Sequence, residues 1–135
     1  INMKICWKLC SSYDEAKNFT NVIYLHEWDD VPFYWGKAHK SHFGGHKRKI
    51  NGLHASGRYN SGYRHWIEGC LQHGGKLYIG QPDEEAKTIL SEVENFLICT
   101  HRPKIKQREK RPFDSLVIEH VNDIPVCLKK TLDLS

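Results

Sequence analysis

Asn21-Val-Ile-Tyr-Leu-His-Glu-Trp28, followed by Asp29-Asp30 and then Val31-Pro-Phe-Tyr-Trp-Gly36, is the stretch that decides the fold. Its two arms are rich in β-branched and aromatic residues, and the acidic pair between them supplies a turn, so it predicts a β-hairpin. Pro32 has no N–H to give to a ladder, which places the start of the second strand at or just after it.

Outward from the hairpin, residues 37–57 hold four glycines, four histidines and five Lys/Arg with no sustained apolar period, which predicts a long loop. From Arg58, Tyr59, Tyr63, Trp66, Ile67, Cys70 and Leu71 recur at helical spacing until Gly74-Gly75 stops the pattern. Lys76 to Gly80 predicts a third, central strand. Pro82 with Asp83, Glu84 and Glu85 predicts a helix start, and Ala86, Ile89, Leu90, Val93 and Leu97 carry its apolar stripe toward His101, where Pro103 ends it. Leu116–Glu119 and Pro125–Leu128, flanking Asn122-Asp123, predict a C-terminal hairpin.

At 135 residues and 39% hydrophobic content the chain is expected to form one domain, 1–135, ending in a basic and C-terminal extension over 102–135. Charged residues of both signs make up 27%, which argues against a wholly disordered chain. The odd count of five cysteines predicts a reducing, cytoplasmic setting rather than a disulfide framework. No apolar run approaches a membrane span, the N-terminus lacks a long apolar signal core, and Met3 is the expected natural start. The net charge is only +4, but Lys37, Lys40, Lys47, Arg48 and Lys49 form one cluster and Arg102, Lys104, Lys106, Arg108, Lys110 and Arg111 another. Clustering of this kind suits a polyanion.

The order of parts then becomes specific. Val22-Ile23-Tyr24 stands on one strand and Tyr34-Trp35-Gly36 on the next, ten residues on; an arginine opens a helix; Glu94-Asn-Phe-Leu-Ile98 precedes Arg102-Pro103. Over residues 21–106 this resembles the GIY-YIG nuclease family, with Val22 in place of the first glycine and Trp35 in place of the middle residue of the second motif. Tyr78-Ile79-Gly80 spells the second motif letter for letter, but it follows the arginine helix. Position in the order therefore assigns Tyr34, not Tyr78, to the motif.

The resemblance implies an α/β domain with a central three-stranded antiparallel sheet flanked by helices, and metal-dependent endonucleolytic hydrolysis of DNA. It implies that Glu94 holds Mg2+ or Mn2+, that Tyr24 positions or deprotonates the attacking water, and that Tyr34 assists. Hydrolysis of a phosphodiester needs an activated water and stabilisation of added phosphate charge, which suits a hard cation on a carboxylate. Helical geometry independently sets Glu94 at the margin of the Leu90, Val93, Leu97 stripe, with Glu92 and Glu85 pointing away.

For the phosphate clamp, Arg58 is favoured; Gly62 stands where relatives carry a histidine or tyrosine, and His65 on the same flank, or Tyr63, is the substitute; Arg64 is placed to pair with Glu68. Arg48 is the runner-up. Lys37, Arg48, Lys104, Lys106, Arg108 and Lys110 are the candidate nucleic-acid contacts, Lys106 standing where relatives carry asparagine. A palindromic target would make a homodimer of the chain a further expectation. Two other readings stay open: a binding module that kept the scaffold and lost catalysis, and a zinc-stabilised binding protein using His39, His42 and His46 with Cys6 or Cys10.

Overall fold

The computed structural model describes residues 2–44, 49–50, 53–54, 61–107 and 116–133. The predicted hairpin is β2 (Thr20–Trp28) and β3 (Val31–His42), paired antiparallel with His26 opposite Tyr34 and Tyr24 opposite Gly36. Asp29 and Asp30 both take positive φ, 50° and 62°, the two-residue turn whose twist matches that of the flanking strands. The predicted third strand is β6 (Lys76–Pro82), antiparallel to β2.

The sheet does not stop at three strands. β1 (Asn2–Cys10) pairs antiparallel with β6, and β7 (Val117–Asn122) pairs parallel with β1, giving a five-stranded mixed sheet ordered β3-β2-β6-β1-β7. The chain is an α/β fold, but the expected three-stranded antiparallel sheet is only its β3-β2-β6 part. The termini are not an appendage. Met3, Ile5 and Trp7 of β1 enter the same core as Ile23, Leu25 and Trp35, and burying each large side chain stabilises the fold by roughly 1.5–3 kcal/mol.

Helices cover both faces. On one, α1 (Tyr13–Ala16) and α2 (Ser61–Gln72) bring Tyr13, Ala16 and Ile67 onto Val22, Tyr24, Ala38, Leu77 and Ile79. On the other, a 3-10 turn (Glu84–Ile89) leads into α3 (Leu90–Thr100), and α4 (Val126–Asp133) follows β7. Leu90, Val93, Leu97, Ile98, Cys127 and Leu128 pack there with the tryptophans.

Three expected elements differ. The helix expected from Pro82 opens as the 3-10 turn at Glu84 and becomes α-helical only at Leu90; Asp83 just before it is tied to β1, its carboxylate accepting the Lys4 N–H (2.8 Å) and its own N–H donating to the Lys4 carbonyl (3.1 Å). The expected loop over 37–57 begins as the second half of β3, held by burial of Ala38, and also contains the short hairpin β4 (Lys49–Ile50) and β5 (Leu53–His54). The expected C-terminal hairpin is a strand followed by a helix. Pro125 opens that helix, its carbonyl accepting from the Leu128 and Lys129 N–H groups, while the buried Glu27 carboxylate accepts the Cys127 N–H (3.1 Å) and so satisfies one of the free donors of the first turn. Among the described residues no helix is long and apolar enough to cross a membrane, and the five cysteines are thiols rather than disulfides.

Candidate functional site

Strand alternation sorts the candidate residues before any helix is considered. On β2, Val22, Tyr24 and His26 face α2, whereas Ile23, Leu25 and Glu27 face α3. On β3, Tyr34, Gly36 and Ala38 face α2, whereas Trp35 and Lys37 face α3. The structure accordingly makes two groups, one on each side of the outer strand.

The α2-side group is aromatic. Tyr24 and Tyr34 lie with ring centroids 6.2 Å apart; His26 is 5.8 Å from Tyr24 and 6.4 Å from Tyr34, and Phe43 meets Tyr24 edge-on at 4.8 Å. Trp66 of α2 closes over His26 edge-on at 5.0 Å. Although Trp66 belongs to the apolar residues that recur at helical spacing, it is 42% exposed. Tyr24 reaches sideways across β3, and a Cβ added to Gly36 would lie 2.2 Å from Tyr24 Cζ and 2.4 Å from its hydroxyl oxygen. The absence of a side chain at 36 is what lets that hydroxyl lie over the edge strand.

The α3-side group is ionic. Lys37 Nζ and Glu94 Oε1 are 3.5 Å apart, and both side chains are largely covered. Glu94 therefore lies at the border of the apolar stripe, against the strand that carries Tyr34. It does not share a sheet face with the tyrosines. What the two groups share is the Gly36–Lys37 stretch of β3, which the Tyr24 hydroxyl overlies from one face and the Lys37–Glu94 pair flanks from the other.

The basic segment after α3 comes to the same strand. Lys104 N–H donates to the Pro32 carbonyl (3.0 Å) and Ile105 N–H to the Phe33 carbonyl (3.2 Å); the Gln107 side-chain amide both accepts from the Trp35 N–H and donates to its carbonyl, each at 2.7 Å. Trp35 Nε1 donates to the His101 carbonyl (2.8 Å). Lys104 and Lys106 stay exposed along this border.

Of the remaining candidates, His65 is exposed on α2, while Arg48, Arg58, Arg108 and Lys110 lie outside the described residues. Arg64 does not take Glu68 as its partner. Its guanidinium binds both oxygens of Asp14 (3.2 Å each) and lies over the Tyr13 ring, because Glu68 instead accepts the Tyr13 N–H (2.9 Å). The alternative zinc set has His46 outside the described residues; Cys10 is buried, and His42 Nδ1 meets the Asn18 carbonyl at 3.0 Å. Among the described residues no group of three or more His, Cys, Asp or Glu converges on a metal position.

Tyr78, the motif look-alike, is a core residue on the α3 side, where burial and the nearby Glu27 push its hydroxyl pKa up. The spelling coincides because the glycines do the same work: Gly80 makes room for Trp7, whose ring would lie 2.7 Å from a Cβ there, as Gly36 makes room for Tyr24.

His26 was absent from the expected set, although it shares the strand parity of Tyr24, which was the available signal. It is 3% exposed, its Nε2 has no hydrogen-bond partner, and burial pushes its pKa down from 6.5 to about 4. His120, which accepts the Trp7 indole N–H (3.0 Å), is also pushed down to about 4, by burial and then by His101. A native pKa below the unfolded value means that the unfolded chain takes up the proton first. Stability is therefore full above pH 6.5 and falls as pH drops toward 4, by on the order of 3 kcal/mol for His26. Thermal melts between pH 7.5 and 4.5 should record this loss, and His26→Phe should reduce it; an equal loss in the variant would mean that His26 is protonated in the native state. In comparisons with known proteins, no family profile, curated protein or solved structure matches the chain.

Proposed function

We propose that the protein is a metal-dependent endonuclease acting on DNA phosphodiester bonds, with its centre at the outer strand β3. The observation that carries this reading is the Lys37–Glu94 pair at 3.5 Å, set beside the Gly36 passage that Tyr24 overlies. An acid that holds a cation at a sheet border lined with exposed lysines has the charge pattern of a phosphate-processing site.

The protein ligand offered to a hard divalent ion is one carboxylate, Glu94. Such an ion keeps several waters and is commonly held by one or two carboxylates together with substrate phosphates, and Glu94 supplies one carboxylate already facing a positive charge. When bound, the ion would neutralise charge developing on the phosphate. The protein's own groups do the rest. Glu94 anchors the positive charge, Lys37 turns its ammonium from the carboxylate to a phosphate oxygen, and the Tyr24 hydroxyl orients the attacking water from across the strand. Tyr34 packs beside Tyr24 and limits the directions that hydroxyl can take. Lys104 and Lys106 hold the backbone of the nucleic acid and set its register without reading bases.

One experiment with two readouts tests the proposal. Supercoiled plasmid should be nicked in magnesium or manganese and not in chelator. Neutralising Lys104 and Lys106 together should lower the slope of log affinity against log salt by about 2, since each phosphate contact contributes roughly 0.9. Binding without nicking in either metal would favour a scaffold that binds nucleic acid and no longer cuts it. An unchanged slope would remove the 102–107 segment from the interface.

A further inference from the structure

Every hydrogen-bonding atom buried without a partner costs stability, commonly about 1–3 kcal/mol, and most native interiors hold few of them. Among the described residues two side-chain atoms are in this state: His26 Nε2 and Glu27 Oε1. Glu27 has an evident structural task, since its other oxygen accepts the Cys127 N–H at the start of α4. His26 has none of that kind. Its neighbours are the Tyr24, Tyr34 and Trp66 rings, and phenylalanine would fill the same space and keep the same edge-on contacts without an orphaned nitrogen. Local rules of good packing are broken most often where a site requires it.

We propose that His26 is a positioning residue for the tyrosine pair: its Nε2 takes a hydrogen bond from the Tyr34 hydroxyl, directly or through one water, once nucleic acid is seated on β3. Three placements support it. His26 is the register partner of Tyr34 across the hairpin, so their side chains leave the sheet on the same face. It stands two residues after Tyr24 on the same strand and face, in ring contact with it. Trp66 covers the imidazole from the helix side and restricts the ring, as a positioning group requires.

The imidazole stays neutral through the physiological range because burial holds its pKa down. It therefore supplies a directed hydrogen bond rather than a charge, and it is a poor base for the reaction. The pair gains one fixed hydroxyl, Tyr34, against which the Tyr24 hydroxyl is set.

This inference rests on the endonuclease reading, and His26→Phe and His26→Gln test it with wild-type protein alongside. His26→Phe should melt at or above the wild-type temperature at pH 7.5 and bind duplex DNA with unchanged affinity. Its single-turnover nicking rate should fall roughly 10-fold or more, an effect of the size set by misplaced catalytic groups. His26→Gln, which restores a hydrogen-bonding group near the Nε2 position, should recover part of the rate without matching the melting temperature of the Phe variant. A purely structural histidine would give the opposite order, with stability and rate falling together. If wild type nicks and His26→Phe nicks equally fast, the inference fails and the endonuclease reading stands. If wild type nicks nothing in either metal, the endonuclease reading fails and takes the inference with it.

Discussion

Glu94→Gln abolishes metal-supported cleavage in the expected result, by roughly 10²–10³-fold or more, a loss like that of a single preorganised charge-stabilising group. The amide keeps the shape of the side chain and removes its charge, so a hard cation loses its anionic protein ligand. Duplex binding should persist, because the variant loses no positive charge and frees the Lys37 ammonium from its 3.5 Å partner. Stability should change by no more than about 1 kcal/mol, since a partly exposed ion pair contributes little. Nicking assays in magnesium and in manganese, run beside gel-shift titrations on the same preparations, separate these outcomes. A Gln variant that cleaves at the wild-type rate would make Glu94 an ordinary helix-edge acid paired with a lysine.

Gly36→Ala should be nearly as damaging, for a different reason. The new methyl group would lie 2.2 Å from Tyr24 Cζ, and that ring is 4% exposed with Phe43 edge-on against it, so it has little room to yield. Overpacking of this kind costs about 1–3 kcal/mol, which lowers the melting temperature by several degrees in a domain of this size. Displacing the Tyr24 hydroxyl should also reduce cleavage far beyond any loss of folded protein. Gly80→Ala is the matched control: its methyl would meet Ile5 and Trp7 at 2.7 Å in the core of the other face, with no candidate catalytic group displaced. The two variants should destabilise alike while only Gly36→Ala loses catalysis at a temperature where both are folded. Equal residual activity would detach Tyr24 from the chemistry.

The parts of the fold that were legible in the sequence are those set by local period and local turns. Asp29-Asp30 announced the hairpin, and the stripes ending at Gly74 and running through Val93 and Leu97 announced α2 and α3. β1 carried a local signal too, since Met3, Ile5 and Trp7 alternate with Lys4, Cys6 and Lys8, yet nothing local says that this strand pairs with β6 and β7. The apolar run Val126-Cys127-Leu128 was short enough for strand or helix. Glu27 resolves it, and that contact spans 100 residues of chain.

The sequence singles out Tyr24, Tyr34, Lys37 and Glu94 as candidates but not their arrangement. Tyr34 and Lys37, an odd number of residues apart on one strand, must face opposite ways, so the division of the candidates into two groups follows from their spacing. That Glu94 meets Lys37 does not, because it depends on where α3 crosses β3. His26 escaped because a lone buried histidine leaves no sequence mark of its missing hydrogen-bond partner.

The segment that runs along β3 has a consequence for the company the protein keeps. An outer strand with free N–H and C=O groups is a template on which another chain can continue the sheet. Here Lys104, Ile105 and Gln107 occupy the Pro32, Phe33 and Trp35 positions of that template. The protein's own basic stretch thus acts as a stopper against edge-to-edge aggregation.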